Sequence, residues 1–155
     1  MAWIDYQKTF DRMSHGWIIK SLELTGVNSK VISFTKKVVS YWRTRMRLHE
    51  ENKLIETEDI KIQCGILQRD SLSPLLFCIR LIPLTEQLNR LNTGYVEHTT
   101  KTKISHLLYV DDLKLIAKSE EELQKQIQTV KNFSDDIHVE FGLENVPRLR
   151  LREAN

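Results

Sequence analysis

Two adjacent aspartates inside an apolar run are the residues of this chain with the clearest capacity for chemistry. Asp111 and Asp112 lie within His106-Leu107-Leu108-Tyr109-Val110-Asp111-Asp112-Leu113-Lys114-Leu115-Ile116. Apolar, partly β-branched residues on both sides predict strand structure, with the acids at the tip of a hairpin. Neighbouring carboxylates in a low-dielectric setting repel each other and lose hydration. A divalent cation removes that penalty, and hard oxygen ligands suit magnesium. The plainer alternative is an Asp-Asp turn, because aspartate is common in turns. A third acid, Asp5, ends the strand-like stretch Ala2-Trp3-Ile4-Asp5-Tyr6. If that strand pairs beside the hairpin, Asp5 and Asp111 can face one cleft. Two metals held about 3.5–4 Å apart by shared carboxylates can activate a hydroxyl and stabilise a departing oxygen, which is the apparatus of phosphoryl transfer. Such a site needs acids from separate strands, since one strand cannot surround two ions.

Between these acids lies Gln63-Cys64-Gly65-Ile66-Leu67-Gln68-Arg69-Asp70-Ser71-Leu72-Ser73-Pro74-Leu75-Leu76-Phe77. A glycine-bearing loop leading into a helix can bring backbone and a side-chain amide against a nucleotide or template. By itself the pattern is weak, because many loops precede helices in this way.

The elements that must position these residues can be read in order. Met1 to Tyr6 is strand-like, and an edge of this kind suggests a partner upstream in a larger domain. His15 to Leu24 has helical spacing, with Gly26 as its stop. Asn28 caps a second helix through Val31, Ile32, Phe34, Val38 and Val39. Thr44 to His49 and Glu58 to Gln63 read as two strands around an acidic turn. Ser73 is expected to cap the next helix, with Pro74 in its first turn. Leu75, Leu76, Ile79, Leu81 and Leu84 are expected on its apolar side, and Pro83 to kink or interrupt it. Thr93-Gly94 breaks the pattern before the hairpin of Ile104 to Ile116. Ser119-Glu120-Glu121-Glu122 forms a capping box for a helix carrying Leu123, Ile127, Val130 and Phe133. Val139-Glu140-Phe141 predicts a short strand ending at Gly142. The order excludes a doubly wound sheet and predicts an α+β fold, with helices on one face of a mostly antiparallel sheet.

With 155 residues, 41% of them hydrophobic and 28% charged, the chain can build one globular core. No run reaches the roughly 18 apolar residues of a membrane span, so no membrane partner is expected. No secretory signal is visible at the start. Cys64 and Cys78 lack metal-ligand spacing, which fits a reducing compartment. The net charge of +2 is uninformative, but its distribution is not. Lys30, Lys36, Lys37, Arg43, Arg45 and Arg47 occur without an intervening acid, and the stretch from Glu50 to Asp59 reverses the sign. Cations interleaved with Tyr41 and Trp42 suit phosphate contacts and base stacking. A solvated helix face followed by a strand edge explains the same pattern.

Taken together and in order, Asp5-Tyr6-Gln7-Lys8-Thr9-Phe10-Asp11, the Gln68 to Phe77 loop and Tyr109-Val110-Asp111-Asp112 resemble the palm of a reverse transcriptase (RNA-directed DNA polymerase) of the non-long-terminal-repeat retrotransposon kind. That family has an Asp-x-x-x-x-Phe-Asp motif, a Gly-x-x-Gln-Gly-Asp-Ser-Leu-Ser-Pro loop and an aromatic-x-Asp-Asp hairpin. The similarity extends through Pro74 to Leu84 and Phe133 to Leu143. The resemblance implies a polymerase palm with part of the fingers over residues 1–145, and a basic tail over 146–155 that opens a continuation. It implies catalytic and metal-binding roles for Asp5, Asp111 and Asp112, with Asp5 and Asp111 on both of two Mg2+ ions and Asp112 a weaker candidate. Phe10 matches the bulky residue under the incoming sugar, where a ring disfavours a ribose 2′-hydroxyl. Core packing is the alternative for Phe10. Gln68 matches a contact to the incoming nucleotide and template. Asp11 matches a structural position that would hold a helix start, and Lys8 and His15 match positions given no chemistry. The implied partners are an RNA template, a DNA primer and deoxynucleoside triphosphates, and the implied workplace is the nucleus.

The chain departs from the family pattern at three places. Arg69 stands where the family has glycine, adding a bulky cation beside the nucleotide site. Asn145 follows Glu144 where the family has lysine near the leaving phosphates. The upstream fingers and downstream thumb have no counterpart in the sequence. The expectation is therefore a palm-centred fragment, weak or inactive alone. The alternatives are a non-catalytic nucleic-acid-binding or decayed remnant of such an element, and another palm polymerase copying RNA into RNA. Phe10 argues against the last.

Overall fold

The computed structural model describes residues 1–6, 10–50, 53–67, 70–139 and 141–142. Lys8, Gln68, Arg69, Glu144 and Asn145 lie outside the described residues, as does the basic tail. In chain order the first elements are β1 (Ala2–Tyr6), α1 (His15–Leu24), α2 (Ser29–Ser40), β2 (Arg43–Thr44), β3 (Arg47–Glu50), β4 (Lys53–Glu56) and β5 (Ile60–Lys61). There follow α3 (Ser73–Arg90), β6 (Tyr95–Val96), β7 (Lys103–Ile104), β8 (His106–Tyr109), β9 (Asp112–Leu115), α4 (Glu120–Asp136) and β10 (Phe141–Gly142).

The organising sheet has four antiparallel strands in the order β10-β1-β9-β8. Side chains alternate across a strand, so β1 buries Ala2, Ile4 and Tyr6 and exposes Trp3 and Asp5. Leu113 and Leu115 of β9 are buried on the same side. Against that face pack Leu76, Phe77, Leu81, Leu84 and Leu88 of α3, Leu123, Val130 and Phe133 of α4, and Ile18 and Leu22 of α1, which form one core. The helices lie on one face of an antiparallel sheet, as the α+β reading anticipated.

Local signals explain most boundaries. Ser14 caps α1 by accepting from the Trp17 N–H. Asp11 does not have that role. The far end of α1 closes with Gly26 at φ +71°, Val27 N–H donating to Leu22 O and Gly26 N–H to Glu23 O. This is the paired-bond arrangement that favours glycine after a helix. Asn28 caps α2 by accepting from Lys30 N–H, but Val31 and Phe34 turn outward, and Thr35 and Val39 are the buried residues.

Four expectations need correction. The segment from Arg43 to Lys61 is two separate ladders, β2 with β5 and β3 with β4, rather than one strand pair. Two ion-pair sets brace them: Arg45 with Asp59 and Glu56, and Arg47 with Glu56. In α3 the cap position is Leu72, with no side-chain cap bond, and Ser73 is the first helical residue, its hydroxyl 3.5 Å from Asp70 Oδ2. The helix runs on through Pro83 to Arg90. Pro83 is itself buried, and tertiary packing on both sides of it offsets the lost backbone bond. Finally, Leu75 is exposed rather than on the apolar side.

The connection from α3 to the hairpin is held by polar groups. Gln126 of α4 is fully buried, and its Nε2 donates toward Thr93 Oγ1 (2.8 Å) and the carbonyls of Ile116 (3.0 Å) and Ser105 (3.3 Å). Gly94 passes so close to Ile104 and Ser105 that an added β-carbon would lie 2.7 Å from Ser105 Cα. Its N–H donates to Glu122, which also accepts from Lys118 N–H. Those bonds, that from Lys118 foremost, hold the Glu122 carboxyl below its ordinary pKa.

Candidate active site

The hairpin β8–β9 turns through Val110 and Asp111, with Tyr109 opposite Asp112. Val110 has φ +52°. That left-handed conformation strains a β-branched residue by about 1–2 kcal/mol. A two-residue hairpin with positive φ at its first central position matches the twist of its strands, which is why glycine usually occupies that place. Val110 also packs against the core, and this packing helps hold the strained turn.

The register of β1 against β9 places Asp5 directly opposite Asp112. Both are exposed, and both lie on the sheet face turned away from the helices. The same face carries Trp3 opposite Lys114, with the Lys114 ammonium 4.6 Å from the centre of the Trp3 ring. Leu107 and Tyr109 complete it, both largely exposed. Asp111 is not part of this ladder; it is half-buried, in the turn itself. The structure therefore gathers all three acids at one end of one sheet, but the direct cross-strand partner of Asp5 is Asp112.

Like charges directly opposed across two strands destabilise a sheet. Here no basic residue intervenes in the ladder between Asp5 and Asp112. Among the described residues no group of three or more His, Cys, Asp or Glu forms a ready metal cage. Magnesium does not require one, since it is commonly bound by one or two carboxylates together with water and substrate phosphates. An opposed Asp pair with a further Asp in the adjoining turn fits such a cation in donor chemistry and in charge.

Phe10 and the loop before α3 are brought together by backbone bonds. Ile66 N–H donates to Phe10 O and Gly65 N–H to Met13 O, each at 2.8 Å. Gly65 has φ +84°, and a β-carbon there would lie 2.8 Å from Asp11 O, so only glycine allows this approach. Nε2 of His15 donates to Gly65 O at 2.7 Å, and the His15 ring stands edge-on to buried Trp42. His15, given no chemistry from sequence, thus pins the loop that leads to Gln68. Its signal was too slight to find, a lone histidine at a helix start. His15→Ala is expected to lower stability by about 1–2 kcal/mol through the unsatisfied carbonyl, and to speed hydrogen exchange at the Gly65 and Ile66 amides. Unchanged exchange there would show that the backbone bonds suffice without His15.

Phe10 is partly buried and stacks on Phe77, ring centroids 4.7 Å apart and planes 18° apart. The packing alternative therefore accounts for part of its role. Several residues of the basic stretch also have partners within the chain. Trp42 belongs to the core, Arg45 and Arg47 face the acidic strands, Lys36 bonds Glu23, and Tyr41 is exposed.

Helices covering one face of an antiparallel sheet, with carboxylates at the end of the other face, define a polymerase palm. The fold is shared with a solved apo telomerase of Candida tropicalis truncated from its C-terminal domain: TM-score 0.65, 14% identity, covering 94% of this chain and 29% of that one. The chain belongs to the reverse transcriptase (RNA-dependent DNA polymerase) family, whose profile matches residues 1–144. It is 31% identical over 113 residues to the retrovirus-related Pol polyprotein from type-1 retrotransposable element R2 of Popillia japonica, covering 73% of this chain and 18% of that protein. The corresponding Nasonia vitripennis protein is 30% identical over 150 residues, 96% of this chain and 13% of its own length. The domain is thus of the non-long-terminal-repeat retrotransposon kind, and the chain spans less than a fifth of these curated relatives. Among the described residues no helix is long and apolar enough to cross a membrane.

Proposed function

We propose that this chain carries the nucleotidyl-transfer site of a retrotransposon reverse transcriptase and that residues 1–145 are a palm with part of the fingers. The observation that carries the reading is the Asp5–Asp112 pair on the open sheet face, with Asp111 in the adjoining turn, inside a family match over residues 1–144. Reverse transcriptases use divalent metal ions. In this site Asp5, Asp111 and Asp112 would hold two Mg2+ ions, which when bound lower the pKa of a primer 3′-hydroxyl and neutralise the departing pyrophosphate. The chain's own contribution is positional. β1 and β9 hold two carboxylates in register, and the tight turn holds the third. Phe10, which stacks on Phe77, would lie under the incoming sugar and exclude a 2′-hydroxyl. Gln68, which follows the described Gly65–Leu67 stretch in sequence, would meet the incoming nucleotide and the template base. The nucleic-acid partners are an RNA template and a DNA primer, and the substrates are deoxynucleoside triphosphates.

Primer extension on an RNA template, at enzyme excess and with either nucleotide set, tests this reading. Slow, Mg2+-dependent incorporation that favours deoxynucleotides is expected. Phe10→Ala should reduce that preference by about tenfold, the order one pocket group contributes to discrimination. A preference for ribonucleotides, or incorporation that survives Asp5→Asn and Asp111→Asn, overturns the proposal.

A further inference from the structure

Phe77 joins α3 to the residue matched to the incoming sugar. It lies in the second turn of α3 and is fully buried. Its ring stacks on that of Phe10, centroids 4.7 Å apart and planes 18° apart. The same ring meets the Arg80 guanidinium, which stands 4.5 Å from its centroid. Arg80 is also fully buried and follows Phe77 by one turn of the helix. Its carbonyl accepts from Trp17 Nε1 of α1 at 3.2 Å. Among the described residues, Arg80 Nε and Nη2 meet no hydrogen-bond acceptor. Contact with an aromatic face is favourable for such a cation when it is desolvated. Phe10, Phe77 and Arg80 thus form one column that runs from the partly buried start of the domain into its core.

Phe10 itself is placed less firmly. It lies in a turn between β1 and α1, outside any helix or strand. Its carbonyl accepts from Ile66 N–H at 2.8 Å, which fixes the backbone and leaves the ring its choice of staggered wells. Excluding a single hydroxyl is a strict demand, since a group that recognises a substrate must stay within about 0.5 Å of its place, held by neighbours whose own rotamers are locked by packing. Phe77 is such a neighbour. It is closed in by the core, and its flat face admits the Phe10 ring in one orientation.

We propose that Phe77 is a positioning residue for nucleotide selection: by stacking on Phe10 it holds that ring where it would meet a ribose 2′-hydroxyl. The inference rests on the reading of Phe10 as the sugar contact. Being fully buried, Phe77 acts only through Phe10. Leucine or methionine in its place would keep the core apolar and remove the flat surface. The Phe10 ring would then gain freedom, and a ribonucleotide would gain room.

Primer extension with each nucleotide set gives the ratio of deoxynucleotide to ribonucleotide kcat/KM. Phe77→Leu and Phe77→Met should lower that ratio about fivefold, within the roughly tenfold that one pocket group contributes. Loss of folded protein scales both efficiencies alike and leaves the ratio unchanged, so a merely structural role does not move it. In a Phe10→Ala background the Phe77 substitutions should change the ratio no further, as for residues that act through one contact. Two variants are used so that failure of one to fold leaves the other, with circular dichroism as the check. A parental ratio in the folded Phe77 variants, with Phe10→Ala lowering it, overturns the inference and leaves the reading of Phe10 standing. A further fall in the Phe10→Ala background assigns the effect to general repacking and also overturns it. A ratio unmoved by Phe10→Ala overturns both. Fluorine magnetic resonance of the chain labelled with fluorophenylalanine reads the ring without turnover, the Phe10 signal being assigned by its loss in Phe10→Leu. Phe77→Leu should shift that signal toward its position in the unfolded chain. An unmoved Phe10 signal overturns the inference even in a chain too slow to extend primers.

Discussion

Asp112→Asn should lower magnesium-dependent nucleotide incorporation by about 10²–10⁴-fold while making the metal-free chain more stable. The first part follows from transition-state charge. A metal-assisted displacement draws several kcal/mol from the cation, and each 1.36 kcal/mol is tenfold in rate. An amide keeps the shape and removes the negative charge proposed to hold the ion. The second part follows from the register. Asp5 and Asp112 are direct cross-strand partners, and opposed like charges cost about 0.2–1 kcal/mol. Asp5→Asn should act alike on both counts. A residue that only packs would show the opposite pattern, losing stability and activity together. The measurements are single-turnover primer extension and thermal unfolding in chelator. Activity retained in both variants would move the chemistry away from this pair. A fall in metal-free stability would show that the two carboxylates are not in net repulsion.

Gly94→Ala should lower the thermal midpoint by about 10 °C. Gly94 has φ +116°, a conformation that L side chains rarely adopt. A methyl group there would meet the Ile104 carbonyl and the Ser105 Cα of the chain that enters the hairpin. Neither is a flexible side chain that could yield. Backbone strain and overpacking each contribute about 1–3 kcal/mol, and for a chain of this size each kcal/mol is about 2–4 °C. The shift should also release the Gly94 N–H from Glu122. Differential scanning calorimetry checks the prediction, and a midpoint within 2–3 °C of the parent, on the same scaling, would mean that this connection is free to move aside.

The candidate site could be read from the sequence where short motifs suit chemistry. Asp5, Asp111 and Asp112 stood out because acids interrupt or end apolar runs, whereas Phe10 and Gln68 entered only through the family resemblance. The fold was legible where caps and breakers are chemical, as at Asn28, Gly26 and Ser119. It was less legible where partners are distant in sequence. The β2–β5 and β3–β4 ladders are flanked by Arg45 and Arg47 meeting Asp59 and Glu56, and no local period encodes such pairings. Ser73 looked like a cap because its residue type suits one, yet the helix has already begun there. The pairing of Asp5 with Asp112 rather than Asp111 turns on one residue of register, which a motif does not specify. Arg80 gave no warning in a stretch read as apolar, since burial of a charge is a property of the packed molecule.

The two-residue turn at Val110 and Asp111 has a consequence for the arithmetic of the sheet. Successive side chains point to opposite faces, so the parity of the loop decides which residues of β9 see solvent. With two loop residues, Asp112 and Lys114 face outward and Leu113 and Leu115 face the helices. A slip of one position would drive a carboxylate into the core and two leucines into water. The left-handed Val110 closes the turn at its shortest length and leaves no spare residue for such a slip. The same tight turn that bears the strain thus sets the orientation of the whole strand, and hence the side of the sheet on which an ion could ever be held.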